Sequence, residues 1–116
     1  MKNRDYRDYL RDILTSVSDI ENFVDNLTYD QFVNDRKTLN AVVRSIEIIG
    51  EASKNIPETI KTRYPELPWK QMAGMRDKLI HAYFGADSET IYKAAKTNIP
   101  QLKKPIQKIL IEQEKQ

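Results

Sequence analysis

An apolar period close to 3.6 residues runs through almost the whole 116-residue chain, and no alternating strand pattern of useful length interrupts it. Such a pattern predicts an all-α fold. The first helix is expected from about Asp5 to Asp25. There Tyr6, Tyr9, Leu10, Ile13, Leu14, Val17, Ile20 and Val24 form one stripe, while Arg7, Arg11 and Asp12 fall outside it. Thr28-Tyr29-Asp30-Gln31 has the form of a capping box and should start a short helix ending near Asn34. A third helix follows to about Asn55, with Leu39, Val42, Val43, Ile46 and Ile49 as its core stripe. Pro57 stands at a suitable first position for a short helix to Arg63, and Tyr64-Pro65-Glu66-Leu67-Pro68 reads as a stiff connector. The next helix should begin at Trp69 and run to Gly85, a residue suited to a left-handed end; Asp87 or Ser88 then caps a helix through Lys96, and a last helix follows Pro100. The expected architecture is an up-and-down bundle of about four to six helices in a single domain over residues 1–116.

A chain of this length can bury roughly two-thirds of its unfolded surface in one core. With 19 Lys and Arg against 17 Asp and Glu, the net charge is only +2. No global field therefore draws a polyanion, and any grip on phosphate must come from a local patch. There is no cysteine, which removes disulfides, thiolate nucleophiles and thiolate metal sites and fits a reducing compartment. The N-terminus has no apolar run behind a basic start, and the longest aliphatic run, Ile109-Leu110-Ile111, is far too short to cross a bilayer. The expectation is a soluble cytoplasmic protein without membrane contact. One histidine and no cysteine make a zinc cage improbable, no carboxylate spacing suits Mg²⁺, and no phosphate-binding glycine loop is present. Neither metal nor cofactor is expected.

The chemistry concentrates in Met75-Arg76-Asp77-Lys78-Leu79-Ile80-His81-Ala82-Tyr83-Phe84, where the sole histidine follows an arginine by five residues and precedes a tyrosine by two. Histidine can both take and give a proton near neutrality, and arginine carries a permanent charge shaped to clamp phosphate. The pair suits phosphodiester cleavage: His81 as acid or base, Arg76 as the positive group facing the developing phosphorane. On a regular helix Arg76 and His81 lie about 140° apart and roughly 7.5 Å along the axis, whereas Arg76 and Tyr83 differ by about 20°. One regular helix cannot aim all three at a point unless it loosens near His81 or a second copy supplies the missing partner; the second is favoured, a two-fold homodimer whose motif helices meet, with Arg76 of one copy approaching His81 of the other. Ala73 and Gly74 would permit close helix approach there. Asp77, four residues before His81, could orient the imidazole. Glu47 and Glu51 share a stripe of the third helix with Arg44; the bland reading is a salt-bridged polar face, the functional one that Glu51 or Glu47 positions Arg76.

Arg76, four intervening residues, His81, one residue and Tyr83 form a pattern that resembles the signature of the HEPN superfamily, and within it the HepT-like toxins. Arg44, Glu47, Gly50, Glu51 and Ala52, then Trp69 and Gly85 to Asp87, extend the resemblance over most of the chain. The resemblance implies a dimeric, metal-independent endoribonuclease that serves as toxin of a type VII-like toxin–antitoxin pair. It also implies a minimal nucleotidyltransferase antitoxin that silences the toxin by adding AMP to Tyr83. RNA is then the substrate, the product ends are 2′,3′-cyclic phosphates, and no DNA partner is expected. Two other functions fit the same residues: a non-catalytic module that docks a nucleotidyltransferase, and a nucleotide-binding domain. Trp69 reads as a helix-start anchor in preference to a base-stacking platform, and Lys93, Lys96, Lys103, Lys104 and Lys108 could form a basic rim or simply be solvated.

Overall fold

The computed structural model describes residues 4–78 and 87–114. Helix α1 spans Tyr6–Phe23, α2 Tyr29–Val33, α3 Arg36–Lys54, α4 Glu58–Arg63 and α5 Trp69–Ala73; residues 75–78 are again helical. Helix α6 covers Ser88–Lys93, runs into a π-helical segment Ala94–Asn98 and a 3-10 turn Ile99–Leu102, and α7 covers Lys103–Glu114. The fold is all-α.

Side-chain caps start α1, α2, α3 and α6, whereas α4 and α5 begin after prolines without one. Asp5 accepts from the Arg7 backbone N–H at 2.8 Å while Asp8 accepts from the Asp5 backbone N–H, so orphan donors at both ends of the first turn are met. The Arg7 guanidinium and backbone N–H together hold the Asp5 carboxyl at about 2, well below its usual value. Thr28 and Gln31 form the expected reciprocal box, Asp35 caps α3 through the Thr38 N–H at 3.1 Å, and Asp87 caps α6 through the Thr90 N–H at 3.2 Å. Pro57 stands one place earlier than expected, as the residue before α4, because its extended backbone suits the cap position.

The core is one cluster. Leu10, Ile13, Val17 and Ile20 of α1 meet Val42, Ile46 and Ile49 of α3, with Ile106 and Ile109 of α7 closing over α1. Each such aliphatic side chain, fully withdrawn from water, contributes about 1.5–3 kcal/mol. Tyr6, Tyr9 and Leu14, which the periodicity placed on the same stripe, are partly buried at its margin. Phe32 anchors α2 and packs against the Tyr92 ring, whose hydroxyl donates to the Leu27 carbonyl at 2.6 Å.

The connector between α4 and α5 is tied down by polar groups. The Trp69 indole donates to the Tyr64 carbonyl at 2.9 Å, Gln113 donates to the Tyr64 hydroxyl at 3.1 Å, and Tyr6 donates to Gln113 at 2.8 Å. The Tyr64 hydroxyl in turn donates to Glu112, which pushes its own ionisation upward. Trp69 is thus the anchor that starts α5, and Glu112 and Gln113 of α7 hold the Tyr64 hydroxyl beside it. Among the described residues no helix is long and apolar enough to cross a membrane.

Two departures from the sequence expectation lie near the motif. The helix from Trp69 is interrupted at Gly74, where the backbone settles at φ −85° and ψ −1° before helix resumes at residue 75. Glycine is among the weakest helix formers, so a break there costs little. The helix expected through Lys96 keeps α-geometry only to Lys93 and reaches α7 through the π and 3-10 turns.

Candidate functional site

Helix α3 presents its apolar stripe to α1 and a second face to α5. Gly50 faces the segment after α5: a Cβ built on it would stand 3.5 Å from both the Met72 carbonyl and the Arg76 backbone nitrogen, and 3.6 Å from the Arg76 Cβ, which leaves room for a methyl but not for a larger side chain. Buried Met72 and Ile49 flank the crossing. The close approach is therefore made by Gly50 of α3. Ala73 and Gly74, the small residues singled out for close packing, are only partly buried in the chain itself. The sequence signal for Gly50 was there to be read: a residue without a side chain between Ile49 and Glu51, on a helix packed on two sides.

This packing sets Arg76 over the end of α3, where its Nη1 donates to Glu51 Oε1 at 3.1 Å. Both side chains are half-exposed, at 45% and 57%. An ion pair so open to water contributes only about 0–1 kcal/mol to stability, so its consequence is geometric. It fixes one arm of the guanidinium, and among the described residues no other side chain takes its remaining N–H donors, which suit an anion. Of the two carboxylates on the stripe, Glu51 is the one that meets Arg76. Among the described residues Glu47 and Arg44 form no ion pair, so the salt-bridged polar face does not form. Asp77 and Lys78 are exposed and likewise unpaired. His81 and Tyr83 lie outside the described residues, as does the pairing of Asp77 with His81. No group of three carboxylates or histidines able to hold a metal ion occurs among the described residues.

A family model described as "Ribonuclease HepT-like" matches residues 13–109, from the middle of α1 to the middle of α7. The chain belongs to the HepT-like ribonuclease family. Among its relatives, "Probable ribonuclease HepT" of Thermococcus cleftensis is 50% identical over 106 residues, covering 91% of this chain and 96% of that protein. "Putative RNase MJ1216" of Methanocaldococcus jannaschii is 49% identical over 110 residues, covering 95% and 91%. "Putative RNase TTE0752" of Caldanaerobacter subterraneus is 42% identical over 104 residues, covering 90% and 93%. No solved structure matches the chain. The matched span of this HepT-like chain contains Glu51, Arg76, His81 and Tyr83 together with the α3–α5 crossing that carries the first two.

The crossing yields a prediction. Gly50→Ala adds a methyl at ordinary contact distance and removes a helix-interior glycine, so stability should hold or rise by up to about 1 kcal/mol. Gly50→Leu must push the Arg76 segment away and should cost about 1–3 kcal/mol. Urea denaturation of both variants checks the pair; equal stability would remove Gly50 from the role assigned here.

Proposed function

We propose that this protein is a metal-independent endoribonuclease in which Arg76 and His81, from two copies of the chain, act on one RNA phosphodiester. The observation that carries the reading is the half-exposed Arg76 guanidinium, paired among the described residues with Glu51 alone, in a chain of a ribonuclease family. In the proposed reaction the His81 imidazole takes the proton of a 2′-hydroxyl, whose oxygen bonds to phosphorus. Arg76 stabilises the charge that gathers on the phosphoryl oxygens. The bond from phosphorus to the 5′-oxygen breaks, an imidazolium returns a proton to that oxygen, and a 2′,3′-cyclic phosphate is left. A second copy is preferred to a loosening of the helix near His81 because a regular helix would turn Arg76 and His81 about 140° apart. Residues 1–116 act as one domain, and the proposed place of action is the cytoplasm.

The test is to incubate the purified homodimer with RNA in EDTA and analyse the new ends. Cyclic phosphate termini are expected; an absolute need for a divalent metal would overturn the scheme. Glu51→Gln should lower cleavage by up to about fivefold, the equivalent of losing an open ion pair worth ~1 kcal/mol, while the thermal midpoint hardly moves. Unchanged cleavage would take Glu51 out of the positioning role. Glu47 and Asp77 are secondary in this reading, Asp77 through orientation of His81.

The same reading makes the protein the toxin of a type VII-like pair whose antitoxin, a minimal nucleotidyltransferase, transfers AMP to Tyr83. An adenylyl group on the stripe of Arg76 would add negative charge and bulk where the substrate phosphate must sit. Tyr83→Phe should keep nuclease activity and, with the acceptor hydroxyl gone, gain no AMP by mass spectrometry when the antitoxin and ATP are supplied. A Phe variant that is still neutralised would point to steric masking instead.

A further inference from the structure

On the other flank of the Arg76 segment lies a cleft of about 370 Å³, between residues 68–78 on one side and the irregular stretch that links α6 to α7 on the other. Its walls are aliphatic: Ile46 of α3, Met75, and Ile91, Ile99 and Leu102 from across the gap. Three carboxamides, Gln71, Asn98 and Gln101, line it together with the Lys78 ammonium. All four are exposed, and among the described residues none of the four side chains has a hydrogen-bond or ion-pair partner.

The far wall exists because the helix there is not regular. Pro100 has no N–H to continue an α-helical ladder, and the chain widens into the π segment before tightening into the 3-10 turn. Ala95, Ile99 and Leu102 stay buried through this change, which keeps the segment against the core while Asn98 and Gln101 line the opening.

We propose that this cleft holds an unstacked base of the RNA strand, so that it selects the nucleotide beside the scissile phosphate; the inference rests on the nuclease reading given above. An apolar slot of this volume accepts the faces of one base. A carboxamide offers a donor and an acceptor side by side, the arrangement that bonds a base edge at two points, and single-stranded RNA is read in this manner through splayed-out bases. Lys78 supplies the positive charge that the adjoining phosphate needs. Residues 75–78 are helical, so Arg76 and Lys78 project about 160° apart and flank the exposed side of the segment. A strand crossing that side meets one cation at each edge, and past Lys78 it reaches the cleft. Asp77 stands between them and adds no attraction, so the strand is held at its edges.

Two readouts on the full chain test this. The first maps cleavage sites in a single-stranded RNA of random sequence in EDTA. Wild type should favour one base over the least favoured by about tenfold or more at one nucleotide beside the cut, the discrimination expected of one edge bonded twice. Gln71→Leu and Gln101→Leu should shrink that ratio to below about threefold, whereas Glu66→Gln, on the connector, should keep it. The second readout titrates AMP, GMP, CMP and UMP and follows the methyl NMR signals of Ile91, Ile99 and Leu102. One nucleotide should shift them at lower concentration than the others, and Gln101→Leu should abolish the difference.

Cutting that ignores base identity, or a preference that survives both substitutions, overturns the cleft's role and leaves the nuclease reading standing. No cutting by a clean dimer with the methyl shifts intact sinks the nuclease reading and keeps the cleft as a base site. If no nucleotide moves the methyls and the two variants instead lose binding to the nucleotidyltransferase, the cleft docks a protein and the proposal falls.

Discussion

Replacing His81 with alanine is expected to lower RNA cleavage in EDTA by about 10²–10⁴-fold, because the chain has no other imidazole to move a proton near neutrality. The 2′-hydroxyl is too weak an acid to attack unaided, and the 5′-oxygen leaves poorly as an alkoxide. In the proposed scheme one imidazole from each of two copies serves both needs, which is the least machinery that meets them. Arg76→Ala should cost a comparable amount through lost charge stabilisation. Arg76→Lys restores the charge without the planar fork and should recover only part of the activity. The measurement is initial rate on one labelled RNA, with thermal midpoints recorded for each variant. An alanine variant at position 81 that is folded and cuts within about threefold of wild type would remove the acid–base scheme.

Met72→Ala should destabilise the fold by about 2–5 kcal/mol, the cost of emptying a fully buried side-chain site. Few single changes here should cost more, since a domain holds only about 5–15 kcal/mol in all. Met72 is completely buried and its carbonyl lies against Gly50, so the cavity would open at the α3–α5 crossing that positions Arg76. Met72→Leu keeps most of the volume and should cost less than about 1.5 kcal/mol. Ile111→Ala, at a side chain 57% exposed, should change stability by less than about 0.5 kcal/mol. Urea midpoints at constant slope provide the comparison. A Met72→Ala variant as stable as Ile111→Ala would mean that α5 does not pack on α3 as described.

The parts of the fold governed by short-range chemistry were legible in advance. The stripes of α1 and α3, the Thr28–Gln31 box and the Asp87 cap each depend on residues within a turn or two of one another, and each formed. The parts that went differently depend on distant contacts. The last helix follows Pro100 as expected, but Pro100 itself lies inside a continuous path of α, π and 3-10 turns from Ser88 to Glu114, which the sequence does not announce. Burial of Ala95, Ile99 and Leu102 holds that path in line, and the backbone absorbs the missing N–H by changing pitch. The sequence predicts Gly74 inside a continuous motif helix, and the helix breaks there instead. For the site, the sequence named Arg76 and offered two carboxylates on one stripe. Choosing between them needed the angle at which α5 crosses α3.

The amino-acid order alone settled that the chain is helical, which faces are apolar, and that its one imidazole follows an arginine at a fixed spacing, because the helical period and side-chain chemistry are local properties. Tertiary packing alone decided that Gly50 lets the Arg76 segment lie against α3, that Glu51 and not Glu47 receives the guanidinium, and that a carboxamide-lined cleft opens beside Lys78. These last three depend on where residues far apart in the chain come to rest, 25 positions in the case of Glu51 and Arg76. That placement follows from how the whole core closes, which no local window of sequence contains.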